Sequence, residues 1–399
     1  MPRGPPARKR NRGAFARALG VAERPAMSSP PRNETAPAPS SDSHPQRERP
    51  RVLVLGIGGI GGLTAAHLFE GGACDIVAVA RNEAVREAVA AHGFRLRGLE
   101  RARSILGCVD AAIAPGPFDF VILATQPPEV EAAAQLALPH LAPGGRLVCF
   151  QNGLCEERVA RVIGDPGRVL GAVVAWGGNM VEPGVFERTS MGGFVLGRLD
   201  GGDEPALDVL ARLLAPIGPV KRTPNLRGAR WSKLALNCAI SSLGTVAGVR
   251  LGELIQRRFA RRFALEIFTE CVEVARASGV RLEKVAGTLD VDWIALNGAT
   301  RRGRISAARV RKHAIIYLVG LKFRRMRSSM LVALEKGRVP PVDFLNGEVV
   351  ERARALGLPA PANEAIRAAV WRLARGERRP GFDFLEQVFE TVAKENGWR

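Results

Sequence analysis

The chain has 399 residues, 46% of them hydrophobic and 24% charged. That balance excludes a fibrous repeat, a disulfide-built miniature domain and a wholly disordered chain, and at about 150 residues per domain it predicts two or three domains. No apolar run reaches the roughly 18 residues that cross a bilayer, so no membrane partner is expected, while a net charge of +19 raises the question of nucleic acid.

Residues 1–49 are rich in Pro, Ser, Arg and Ala and lack aliphatic periodicity, so they are expected to form a disordered basic tail. Their Arg-rich, acid-poor start imitates an organelle transit peptide. The reading adopted is that Met27 is the true start and that the residues before it are read through from upstream sequence. From Arg51 the character changes. Val52–Leu55 is a short apolar run ending in glycines, as in a parallel strand buried on both faces. A helix carrying Leu63, Ala66, His67 and Phe69 follows, then a strand over 75–80, a helix over 83–91, a strand over 120–124, a helix near 128–138 and a strand over 146–150. This alternation predicts an α/β sheet with right-handed crossovers. Gly171–Arg198 reads as glycine-punctuated strands extending that sheet antiparallel, with a helix over 204–215 and a strand at Val220 closing the half.

After Pro224 the strand signals fade. Helical spacing covers 231–246, 254–278, 309–325, 328–336, 342–355 and 363–375. The fold class expected is therefore α/β, a Rossmann dinucleotide-binding domain over residues 50–224 followed by an all-helical domain over 225–395. The apolar helical domain permits a homodimer.

Gly56-Ile57-Gly58-Gly59-Ile60-Gly61 fits G-x-G-x-x-G and sits between the first strand and the first helix, the context that gives the motif meaning. Gly56 permits the tight turn, Gly58 lets main chain approach a pyrophosphate, and Gly61 lets the helix lie close to the sheet. The helix N-terminus offers free N–H groups to the phosphates. At the end of the second strand an NAD site places a carboxylate for the ribose 2′-hydroxyl; here Ala80-Arg81-Asn82 stands instead. Arg81 suits a 2′-phosphate, so NADP is the expected cofactor.

Further on come Gln151-Asn152-Gly153 after a strand, Gly228-Ala229-Arg230-Trp231-Ser232-Lys233-Leu234 with Asn237, Ser328-Ser329-Met330-Leu331, and Phe344-Leu345-Asn346-Gly347. With the glycine turn, these ordered motifs resemble those of the ketopantoate reductases (2-dehydropantoate 2-reductases) from Val52 to about Arg379. The resemblance implies an N-terminal Rossmann domain, a helical C-terminal domain, an active cleft between them, and an oxidoreductase acting on CH–OH groups that uses NADPH to reduce a small anionic 2-keto acid, by default ketopantoate to pantoate. It further implies Lys233 as general acid, Asn237, Ser241, Ser329 and Asn152 at the substrate, and Asn152 and Gln126 beside the cofactor. Protonating the alkoxide as hydride arrives lowers the barrier, and a lysine beside Arg230 in a partly desolvated cleft is expected to lose basicity. Lys233, Asn237 and Ser241 are spaced by four, which predicts one shared helix face.

The chain departs from the family pattern at three positions. Gln126 replaces a common lysine, Ser241 replaces an asparagine, and Pro341 occupies the place of an acidic residue, which a proline cannot imitate. Glu335, Asp343 and Glu348 are the nearby acids. Together these differences point to a divergent branch; ketopantoate stays the default substrate, with a same-fold reductase of a different carbonyl compound and a cofactor-binding regulator as the alternative readings, and retention of Lys233 and Asn237 argues for the enzyme.

The remaining signals read as structural. Residues 300–327 hold ten basic residues and no acid, but without stacking aromatics or a nucleic-acid module they read as a solvated helix face, and no nucleic-acid partner is expected. His67, His92, His140 and His313 fall in no motif, with His67 read as a structural histidine toward the sheet. Glu266, Glu270 and Glu273 with Arg262 and Arg276 read as a salt-bridged helix face. Cys74, Cys108, Cys149, Cys155, Cys238 and Cys271 lack paired short spacings and read as thiols of a reducing, cytoplasmic compartment, and no metal site is expected.

Overall fold

A computed structural model describes residues 49–284, 290–298, 301 and 306–398; the expected tail, with Met27, lies outside them. The chain divides into two compact units. One gathers residues up to Ala124 with Ala132–Arg146 and Gly177–Ser190, and the other holds Thr125–Glu131, Leu147–Trp176 and the chain from Met191 onward.

In the first unit β1 (Arg51–Leu55) runs parallel to both β2 (Asp75–Val79) and a later strand, Phe118–Leu123. Between β1 and β2 lies α1 (Gly59–Gly71), and after β2 comes α2 (Glu83–His92). The apolar run of β1 is buried along its length because both of its faces are covered. The chain then forms β3 (Phe94–Gly98) and β4 (Arg103–Ile105) before reaching the parallel strand already mentioned, β5 (Phe118–Leu123). β3 and β4 belong to a second sheet with β8 (Gly177–Glu182) and β9 (Val185–Ser190), in the order β4-β3-β9-β8. Helix α1 packs against β1 and β2 on one side and against β3, β8 and β9 on the other. It therefore buries nearly every residue from Gly61 to Leu68 and has no polar face.

This corrects one expectation. Of the strands in 171–198 only the outer two join the main sheet; the hairpin β8–β9 leaves it, and β9 pairs parallel with β3. In β3, apolar Phe94 and Leu96 alternate with Arg95 and Arg97, a true strand pattern too short to stand out.

In the second unit the last residues of β6 (Leu141–Cys149) pair parallel with β7 (Val169–Val174). β10 (Phe194–Arg198) is antiparallel to β7 and parallel to β11 (Val220–Arg222). Helix α3 (Val130–Ala137), which follows β5, lies from Ala132 onward in the first unit, whereas the helices of this stretch are α4 (Cys155–Ile163) between β6 and β7 and α5 (Pro205–Leu214) between β10 and β11.

From Leu226 the described chain is helical. α6 (Leu226–Leu236) passes through a π-helical turn, Asn237–Ser241, into α7 (Ser242–Ala247). Then come α8 (Leu251–Leu254), α9 (Arg258–Ala277), α10 (Val291–Ile294), α11 (Ala307–Lys322), α12 (Ser329–Glu335), α13 (Asn346–Ala355), α14 (Pro361–Ala374) and α15 (Phe382–Glu395). α15 was not singled out by the spacing analysis, although Phe384, Leu385, Val388, Phe389, Val392 and Ala393 form a stripe at intervals of four. Leu226 and Ala229 seat α6 on Val173 of β7 and Val195 of β10. α9 is the axis of the helical core, with Phe263, Ile267, Phe268 and Val272 fully enclosed.

Arg262, Glu266 and Glu270 of α9 are likewise enclosed while Glu273 and Arg276 are exposed, which revises the surface reading in part. Glu266 and Glu270 have no exposure; Glu266 pairs with Arg262 and Arg301, while Arg276 pairs instead with Asp292. Glu270 accepts the main-chain N–H groups of Ala362 and Asn363 at 2.8 and 2.9 Å, capping α14 with a carboxylate from another helix. The basic stretch is also not uniformly solvated. Arg309 and Lys312 are buried, Lys312 donates to the Ala295 carbonyl, and Arg301 reaches Glu266 and Glu273. Arg302 and Arg304 lie outside the described residues. His67 is buried, and its Nε2 lies 2.9 Å from a Glu100 carboxylate oxygen, the partner expected of a structural histidine.

Candidate active site

In the first unit the glycine turn has the geometry of a strand-to-helix phosphate loop. Gly56 takes φ 99°, a left-handed conformation that glycine adopts without strain. A Cβ on Gly61 would fall on the Gly56 carbonyl and against Ala124, while a Cβ on Gly58 would meet no atom within 4 Å. The helix therefore starts with open space before its first N–H groups. Gly59 and Gly62 face the hairpin instead, where a Cβ would strike Gly178 and Phe186. Ile57 is buried, and Ile60 opens the first turn of α1. Arg81 is exposed just beyond β2, and Arg86 donates to the Ala80 and Arg81 carbonyls, holding that turn. Sequence spacing missed Asp110. A main-chain bridge (Asp110 N–H to Ala78, Ala80 N–H to Asp110) brings it beside the end of β2 from 30 residues on.

In the second unit Lys233, Asn237, Ser241, Asn152 and Ser329 come from different elements. Lys233 is half-buried on α6, and its ammonium donates to the Val174 carbonyl on β7 at 2.5 Å. Burial first, and the Arg230 guanidinium second, push its pKa down to about 7; Glu156 opposes them. One turn earlier, Arg230 is 2% exposed. It donates to the carbonyls of Gln151 (2.8 Å), Cys149 (2.7 Å) and Ala172 (3.3 Å), and it pairs with Glu156. Glu156, in the first turn of α4, is the residue that motif reading passed over; its partner lies 74 positions away, a relation no local pattern reveals.

Asn237 begins the π turn, and its buried Nδ2 has no hydrogen-bond partner among the described residues. A buried amide donor without a partner is costly and therefore informative. Lys233, Asn237 and Ser241 are spaced by four across the end of α6 and the π turn, and the wider turn keeps residues four apart on roughly one side. The wide turn is held by Asn346, which is fully buried, donates to the Cys238 carbonyl at 3.1 Å and accepts from Ser242.

Asn152 is half-buried, and its neighbour Gly153, at φ 94°, sits so close to the Phe344 carbonyl that a Cβ would collide with it. Two of the sequence motifs, Gln151-Asn152-Gly153 and Phe344-Leu345-Asn346-Gly347, thus pack on each other. Gln126 is exposed at the start of a short 3-10 turn. Ser328, not Ser329, caps α12: its Oγ accepts from Met330 and Leu331 and bonds Thr245, leaving Ser329 exposed at the first helical position.

Pro341 is buried at the start of a 3-10 turn. None of the three nearby acids stands free to take the missing acid's place. Asp343 accepts from Arg367 and Trp371, Glu348 pairs with Arg158 and Arg352, and Glu335 pairs with Arg327.

Known proteins share this arrangement. The family model described as "Ketopantoate reductase PanE/ApbA" matches residues 52–201, and its C-terminal counterpart matches 225–373. The chain belongs to the ketopantoate reductase family. Among curated relatives, the 2-dehydropantoate 2-reductase of Pyrococcus abyssi is 24% identical over 328 residues, 82% of this chain and 97% of the relative. That of Mesorhizobium japonicum is 27% identical over 350 residues, 81% and 98% respectively. Among solved structures, a PanE/ApbA family ketopantoate reductase from Ralstonia eutropha JMP134 has 26% identity and a TM-score of 0.67, covering 82% of this chain and 99% of its own. D-mandelate dehydrogenase, solved with NADH and anilino(oxo)acetate, shares the fold at 16% identity, TM-score 0.68 and the same coverage. The fold class expected from sequence, a Rossmann-type α/β half followed by a helical half, stands. Among the described residues no helix is long and apolar enough to cross a membrane.

Proposed function

We propose that this family member is a cytoplasmic reductase that converts a 2-keto acid to a 2-hydroxy acid with NADPH, with ketopantoate as the reference substrate and Lys233 as proton donor. The observation that carries the reading is the Lys233 ammonium, held on the Val174 carbonyl with its pKa brought down to about 7. A general acid works best with a pKa near the working pH. One of its three N–H bonds is spent on Val174, leaving two for a substrate oxygen and a neighbour.

The glycine turn fits a dinucleotide: Gly58 faces open space at a helix N-terminus, and Arg81 stands where a 2′-phosphate would be read. NADPH, when bound, supplies the hydride. Lys233 then gives its proton to the oxygen as negative charge develops there, and the unpartnered amide of Asn237 donates to the same oxygen or to the substrate carboxylate. Asn152 orients the cofactor and substrate at their junction. Ser329, exposed at the first turn of α12, is a donor for the carboxylate. Ser241 and Gln126 line the periphery. The free cysteines, five of the six buried, accord with a reducing compartment.

A second reading is favoured by Pro341. Where the family places an acid, this chain has a buried ring that cannot hydrogen-bond a substrate hydroxyl, so a 2-keto acid lacking the hydroxyl of ketopantoate is the better substrate. Steady-state NADPH oxidation with ketopantoate and a panel of other 2-keto acids, on the wild type beside Lys233→Ala, tests both. Turnover by the wild type and a fall of about 10²-fold or more in kcat for the variant are expected. Near-normal turnover by Lys233→Ala removes the donor, and no turnover with any panel member removes the reductase.

A further inference from the structure

We propose that Arg230, locked by Glu156, is a positioning residue that sets both the place and the charge of Lys233; this rests on reading Lys233 as the proton donor. Arg230 and Lys233 are three apart on α6 and thus share a face. They reach carbonyls two apart on β7, Ala172 and Val174, which point to the same side of a strand. The two cations therefore grip one strand edge in register, and a shift of α6 along β7 would break both grips together. The other contacts of Arg230, to the Cys149 and Gln151 carbonyls, tie the same helix to the end of β6, directly before Asn152.

The lock is also electrostatic. Arg230 is a buried guanidinium. It sits beside a buried carboxylate, Glu156, which is held by the N-terminal turn of α4. Of the charged side chains on the elements packed around Lys233, Arg230 and Glu156 are those that act on its ammonium, the first disfavouring it and the second favouring it. Burial raises the pKa of Glu156 and the Arg230 guanidinium opposes that rise, so Arg230, Glu156 and Lys233 form one coupled charge cluster. Leu226 and Ala229 also seat α6 by apolar contact with Val173 and Val195.

The two neighbours act on Lys233 with opposite sign, so their removal separates a positioning role from a structural one. In Glu156→Gln the guanidinium loses its counter-charge, and the alkaline limb of kcat/KM should move to lower pH by about one unit. In the double variant Glu156→Gln/Arg230→Met both charges go, a replacement a protein interior tolerates well, and the limb should return to the wild-type position or above it. The pH dependence of Lys233 acetylation by acetic anhydride, read by peptide mass spectrometry, follows the same ionisation without turnover. Equal limbs in all three proteins, or single and double variants moving the same way, would overturn the proposal. If Glu156→Gln fails to fold, the double variant alone decides: a limb or acetylation midpoint below the wild-type value overturns it. The outcomes also separate the two claims. Normal turnover by Lys233→Ala, with acetylation still shifting, would remove the donor and keep the electrostatic lock. Inactive Lys233→Ala with an unmoved acetylation midpoint would remove the lock alone.

Discussion

Two buried charge clusters in the second unit solve the same problem differently. Around α9, Arg262 and Arg301 meet Glu266, Glu270 and Glu273, so each cation has a carboxylate within reach. At the foot of α6, Arg230 takes the one carboxylate, Glu156, and Lys233 rests on a main-chain carbonyl alone. The first arrangement compensates charge and ties helices together. The second leaves a cation deliberately undercompensated, and a group held this way changes its protonation state near neutral pH. Burial is the first cause of that loss of basicity and the Arg230 guanidinium the second; burial also raises the pKa of Glu270 to about 8 in the other cluster, so a perturbed pKa alone does not mark a site.

The largest way to break this comparison is to move the loss of function from one cluster to the other. Lys233→Ala should lower kcat by about 10²-fold or more while the fold stays intact by circular dichroism. Glu266→Ala should do the reverse: it strands Arg262 in the core and costs about 3 kcal/mol in denaturant unfolding, without moving the pH profile of the surviving enzyme. Next in size, Arg81→Ala should raise KM for NADPH about tenfold and leave that for NADH nearly unchanged, the expected loss of one charge-assisted phosphate contact. A selectivity that stays unchanged would shift attention to Asp110 at the same strand end.

The smallest expected effect concerns stability. Because the folded pKa of Lys233 is about 7 and that of the free side chain 10.5, the unfolded chain binds more protons between those values, and stability rises with pH across that window. Lys233→Met should therefore raise Tm by a few degrees at pH 6, with the gain fading as pH approaches 10. A gain that persists at pH 10 would mean that packing, not charge, is responsible.

What could be read from sequence divides along physical lines. The glycine turn was legible because glycine is needed at Gly56 and Gly61 for reasons of backbone and space that are local. Lys233 drew notice only through the family resemblance of its motif, although its nearness to Arg230 follows from their spacing on one helix. Glu156 was not legible, since its meaning depends on a fold that brings α4 to α6. The π turn itself could not be read from spacing, and the carbonyl that Asn346 satisfies there belongs to no pattern of the neighbouring sequence. The second sheet was missed because β3 and β4 are short and interrupted by arginine. Ser328 and Ser329 were ranked by motif, and only the helix start shows which of them is occupied as a cap.

The glycines at the head of α1 answer to different masters. Gly59 and Gly62 are pressed by the hairpin, so a methyl group at either would be paid for in folding. Gly58 has no such neighbour. An alanine there would go unnoticed by the empty protein and would be felt only by an arriving diphosphate, which makes this one position a place where nucleotide affinity can be dialled down while everything else in the molecule stays as it was.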